Sequence, residues 1–138
     1  PPPRPAVDHP VVVVYVDTEE AAGLFGAATE TQAAYEELRD EGFVVLSFVI
    51  GGVDFGTPPN AERFIADHDL SYPVFEHANQ SISASYQFAP FLPHFSVLDR
   101  ELRIRALSFS GINEWADARA LAEQLLEEEA PEVDWPLP

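Results

Sequence analysis

The stretch PVVVVYVD, residues 10–17, is an unbroken apolar run of β-branched residues closed by an aspartate. A strand with one wet face would alternate apolar and polar residues, and this one does not. It reads as a strand buried on both faces, as in the middle of a parallel sheet. Working outward, FVVLSFVIGG (43–52) is a second run of the same kind. Between them, TETQAAYEELRDEG (29–42) reads as a helix with a capping box of Thr29 and Gln32, closed by Gly42. Thr57-Pro58 reads as the cap of another helix that runs to about Leu70, with Phe64 and Ile65 inward. YPVFE (72–76) reads as a short strand and SISASYQF (81–88) as a short helix.

Strands at 95–99 and 102–109 form a hairpin across a tight turn at Asp99-Arg100-Glu101. An amphipathic helix from about Ile112 to Glu128 ends the pattern, its inner face made of Ile112, Trp115, Leu121 and Leu125. Strands alternating with helices argue for parallel pairing, and the hairpin adds antiparallel strands. The expected class is α/β, a mixed central sheet with helices on both faces. Pro-rich segments at 1–9 and 130–138 read as a linker and a tail around a single domain at 10–129, cut from something longer.

Composition excludes several functions. The formal net charge is −17, from 24 acidic residues against 7 basic ones, every one of them arginine. Such a surface repels phosphate backbones and anionic lipid, so nucleic acid is not an expected partner. No apolar run approaches the roughly 20 residues that cross a bilayer, so this segment is not expected to insert in a membrane. With Cys 0, structural disulfides, zinc–thiolate sites and thiol catalysis are excluded.

In order and spacing, four pieces resemble the thioredoxin-fold superfamily, in particular its bacterial extracytoplasmic thiol-disulfide oxidoreductases and the peroxiredoxins. They are PVVVVYVD, AAYEELRDEGFVVLSFVI, AERFIADHDLSYPVFEHANQSISASYQF and LPHFSVLDRELRIR. The resemblance implies that Pro93 follows a cis peptide bond and borders the substrate groove, with the backbone of Leu92 free to pair with an extended peptide. It also implies a Cys-x-x-Cys motif within TEEAAGLFG (18–26), at about Ala21 and Leu24. Neither position offers a thiolate, the nucleophile of disulfide exchange. Glu19 and Glu20 stand where an aromatic and a redox residue are usual.

The expectation is therefore a redox-inactive domain with no catalytic residue and no cofactor. Its groove, lined by Thr18, Glu19, Glu20, Ala21, Leu24, Leu92, Pro93 and His94, would bind a protein or an extended peptide segment. A location outside the cytoplasm is implied by the family alone. Two alternatives stand beside this reading. One is a purely structural domain with no ligand in the groove. The other is a divalent-cation or acid/base site made by Asp17, Glu19, Glu20 and His94, with His94 facing the carboxylates. Their spacing matches no ligand motif, so no metal is assigned; the glutamates suit the positive end of a following helix.

Overall fold

The computed structural model describes residues 9–19, 22–23, 26–50, 60–77, 93–108, 111–112 and 115–128. The chain runs through β1 (Val11–Asp17), α1 (Ala27–Leu38), a 3-10 turn (Arg39–Glu41), β2 (Phe43–Ile50) and α2 (Ala61–His68). It continues through β3 (Val74–His77), β4 (His94–Leu98), β5 (Ile104–Ser108), β6 (Gly111–Ile112) and α3 (Trp115–Leu126). The strands form one mixed sheet in the order β3-β2-β1-β4-β5-β6. β1 lies inside it, parallel to β2 and antiparallel to β4, and all seven of its residues are buried. The valine run thus earned its reading.

The steps from β1 to β2 and from β2 to β3 are parallel and go the same way across the sheet. Right-handed crossovers then put α1 and α2 on one face. The core on that face joins Val11, Val13 and Tyr15 of β1 to Ala34 and Leu38 of α1, Phe64 of α2, and Ala118, Ala122 and Leu125 of α3. On the other face Val12, Val14, Val16 and Ile50 are buried, with Leu46, Phe48 and Leu98 partly buried against them. The helix expected over SISASYQF lies outside the described residues.

Three local expectations are corrected. α1 begins at Ala27 without a side-chain cap, because Gly26 takes a left-handed φ of 71° that turns the chain into the helix early. Thr29 is then inside the helix, and Gln32 bonds instead to Glu36 at 3.0 Å and to the Ser71 hydroxyl at 2.8 Å. α2 is capped by Asn60, whose side chain accepts the Arg63 amide at 2.8 Å, while Thr57-Pro58 lies outside the described residues. Ile112 is not in α3 but in β6, which pairs with Leu107 and Ser108; sheet pairing overrides the local helical periodicity. Gly42 closes the first helical segment at φ 93°, as read.

The hairpin turn carries more than its own strands. The Asp99 carboxylate accepts the amides of Glu101 (2.9 Å) and Arg103 (3.0 Å) and the guanidinium of Arg105 (3.2 Å). Burial alone would raise its pKa, but these donors hold it below the ordinary carboxylate range. Arg100 turns inward. Its guanidinium donates to the carbonyls of His9 (2.9 Å), Leu126 (2.9 Å), Glu128 (3.1 Å) and Glu41 (3.3 Å). One side chain therefore ties the entry to β1, the 3-10 turn and the end of α3 to the β4–β5 turn.

Candidate functional site

The site is built where β1 ends. Side chains alternate along a strand, so Tyr15 and Asp17 share the face that carries α1, α2 and α3. Asp17 is fully buried; its Oδ2 accepts the Tyr15 hydroxyl and its Oδ1 accepts the Thr18 amide at 2.9 Å. Tyr15 is held by ring stacking on Phe95 at 5.4 Å, and Phe95 packs in turn on Trp115 at 5.3 Å. Burial pushes the Asp17 carboxyl up to about 7, against the smaller lowering effect of its two hydrogen bonds. Burial likewise raises the Tyr15 phenol, with the Asp17 carboxylate adding to the shift.

After Asp17 the chain enters a helical turn, in which the Ala22 amide bonds to the Thr18 carbonyl at 3.0 Å. Glu19 lies on the outside of this turn. Its carboxylate takes both the Nε and an Nη of Arg63, each at 2.5 Å, in a fork that fastens the turn to α2. Because the Arg63 side chain is 44% exposed, Glu19→Gln is expected to cost under about 1 kcal/mol in thermal melts, less at high salt.

On the other side of β1, Val16 pairs with His94, the first residue of β4. Paired residues point to the same face, so His94 lies on the Val12–Val14–Val16 face and not on the face of Asp17. That corrects the expectation that His94 faces the carboxylates: an odd offset in strand register sends it through the sheet. His94 is buried, and burial holds its imidazole down to about 3. Pro93, half-buried, stands just before it and so next to the end of β1.

The described parts of the expected groove are thus Thr18, Glu19 and Pro93, brought to one end of the sheet, with His94 turned inward beneath them. Glu20, Ala21, Leu24 and Leu92 lie outside the described residues, and with Leu92 goes the bond to Pro93. Among the described residues no group of three or more His, Asp or Glu is placed to hold a metal ion. Asp17 is engaged by Tyr15 and Thr18, and Glu19 by Arg63.

Two participants escaped the sequence reading. Tyr15 was legible from its i, i+2 spacing to Asp17 in a strand. Arg63 could be flagged only by scarcity, since 7 basic residues among 24 acids are apt to be committed to particular partners.

Similar solved structures agree on the architecture. A thiol-disulfide isomerase from Corynebacterium glutamicum superposes with a TM-score of 0.71 at 20% identity, over 89% of this chain and 84% of that one. The fold is thioredoxin-like. A secreted thiol-disulfide isomerase from the same organism gives a TM-score of 0.67 at 23% identity, over 88% of this chain and 73% of that one. A thiol:disulfide interchange protein from Chlorobium tepidum gives 0.66 at 14% identity, over 88% and 83%. No protein-family model matches the chain, and no curated protein matches it by sequence. This thioredoxin-like domain carries no cysteine at any position, so the thiolate chemistry named for those structures has no nucleophile here. Among the described residues no helix is long and apolar enough to cross a membrane.

Proposed function

We propose that this is a redox-inactive thioredoxin-like domain that binds an extended segment of a protein partner, or of its own flanking chain. The groove is the one between residues 18–25 and 92–94. The observation that carries the reading is the juxtaposition at the end of β1. Pro93 and the Thr18–Glu19 turn stand together at one end of the sheet in a thioredoxin-like fold that contains no thiol. With no nucleophile, what that end of the molecule can still supply is shape and backbone hydrogen bonds, the means by which extended peptides are gripped strand against strand. A site outside the cytoplasm goes with this proposal, supported by the secreted isomerase among the similar structures.

The test is an amide-NMR titration of the whole chain with unstructured peptides, including copies of residues 1–9 and 130–138. Shifts concentrated at Thr18, Glu19 and His94 are expected. If every peptide leaves these amides unmoved at millimolar concentration, the groove does not bind chain and the domain is structural.

A further inference from the structure

At the end of the sheet where α3 stops, a row of apolar side chains crosses four strands and is left open at one side. We infer that residues 129–138, the chain beyond the described end of α3, fold back and lay Val133, Trp135 and Leu137 on that row. The contact lies at the opposite end of the sheet from the proposed groove and does not depend on what that groove takes.

Strand pairing builds the row. Val12 pairs with Val44 on β2 and with Leu98 on β4, and Leu98 pairs with Ile104 on β5. Paired residues share a face, so these four side chains run across the sheet on the side away from α3. Val12 is buried, Val44 and Leu98 are half-buried, and Ile104 is 52% exposed. Leu102, just ahead of β5, is 50% exposed. The chain between His77 and Pro93 leaves and returns at the other end of the sheet, where β3 stops and β4 starts. A lone exposed leucine is ordinary; a contiguous apolar row with an open rim is a place for chain to pack.

Arg100 fixes where the tail begins. Its guanidinium holds the Glu128 carbonyl at 3.1 Å together with the carbonyls of His9 and Glu41, just ahead of β1 and β2. Arg105 reaches the Glu128 carboxylate at 3.5 Å. Residue 129 thus starts at the end of the sheet where the row lies. The sequence from there, EAPEVDWPLP, suits it. A residue before proline is pushed to extended backbone, which applies to Ala130, Trp135 and Leu137. Side chains alternate in extended chain, so Val133, Trp135 and Leu137 share one side, and Glu132, Asp134 and Pro136 take the other. Residues 133–137 then span about 13 Å, and the four strands of the row about 14 Å. The two acids face water, as a chain of net charge −17 requires. A segment tethered this close has an effective concentration of about millimolar, so a modest apolar contact is enough to hold it. The segment ahead of His9 starts at the same end, but PPPRPAVD offers no aromatic residue.

The test is NMR on the whole chain with labelled Val, Leu and Ile methyls. Cross-relaxation from the Trp135 indole protons to the methyls of Ile104, Leu98 and Val44 is expected. Trp135→Ser alters no residue of the described fold, and its shift changes should concentrate on those same methyls. Ile104→Glu, at a half-exposed position, should erase the Trp135 contacts while β4 and β5 stay paired. Acrylamide quenching gives a second readout, because Trp115 is 7% exposed and the quenchable fluorescence belongs to Trp135. Quenching is expected to be several-fold weaker than in a free peptide of residues 129–138, and to rise to the peptide's value in Ile104→Glu. An indole with no contact outside its own segment overturns the inference, as does one that touches Thr18 or Pro93 instead. Contacts seen only between differently labelled molecules would assign the row to a second copy, and contacts from Val7 would assign it to the other terminus. Either would overturn it as well.

Discussion

Arg100→Met is expected to lower the unfolding free energy by about 3–5 kcal/mol. Two of the carbonyls it would abandon, those of His9 and Leu126, are bonded at 2.9 Å. A buried polar group left without a partner costs about 1–3 kcal/mol. The guanidinium also places a positive charge at the end of α3, where the helix dipole favours a cation by about 0.3–1 kcal/mol. Methionine keeps the apolar stem, so the loss reports the head group rather than a cavity. Arg100→Lys should recover less than half, because an ammonium is a point donor and cannot span carbonyls from three chain segments. Urea denaturation at neutral pH measures both variants. A loss under about 1 kcal/mol for Arg100→Met would mean that water replaces the guanidinium and the clamp is not a stabilising element.

The second large effect is hidden in the unaltered protein and visible in its variants. Asp17 has a folded-state pKa of about 7, raised by burial, so the unfolded state is the first to release its proton as pH rises. Its contribution is fully present below about pH 4 and is lost as pH climbs to 7, at about 1.4 kcal/mol per unit. His94 works in the opposite sense. Its imidazole is held down to about 3, so the unfolded state takes up a proton first as pH falls. Its contribution is present above about pH 6.5 and is lost on acidification. Between pH 4 and 6.5 the two slopes oppose one another, and the stability of the unaltered domain should be nearly level.

Asp17→Asn exposes the His94 slope: the variant should match the parent near pH 4 and exceed it by about 4 kcal/mol at pH 8. His94→Gln exposes the Asp17 slope, with stability falling as pH rises. Repulsion within a net charge of −17 adds a further loss at high pH, but salt screens that term and leaves the two buried groups untouched. Parallel pH curves for parent and Asp17→Asn at high salt would sink the assignment.

Much of the fold was legible because burial on both faces leaves a distinctive mark. PVVVVYVD could be placed inside the sheet without any partner in view, and the hairpin around Asp99 announced itself by alternation on either side of a turn. Helix starts were less legible. Thr29 and Gln32 make a plausible capping box, but Gly26 supplied the conformation that starts α1 two residues sooner. Ile112 fitted a helical face equally well until β5 offered it a backbone partner. Of the residues that the family resemblance assigns to a groove, Thr18, Glu19 and Pro93 lie at the end of β1 and before β4, while strand register, which the sequence did not disclose, turns His94 inward.

The sequence by itself determined the class of the fold, the strand at its centre and the absence of thiol chemistry, because each of these depends on residue type and short-range order. Only the tertiary structure decided which charged groups meet. Strand register put His94 behind the sheet from Asp17, and residues 44 and 28 positions apart met as Arg63 with Glu19 and Arg100 with the end of α3. Such contacts leave no local trace. They form because packing the sheet and helices removes water from a few polar groups, and each of those must then find whatever partner the fold has brought within about 3 Å.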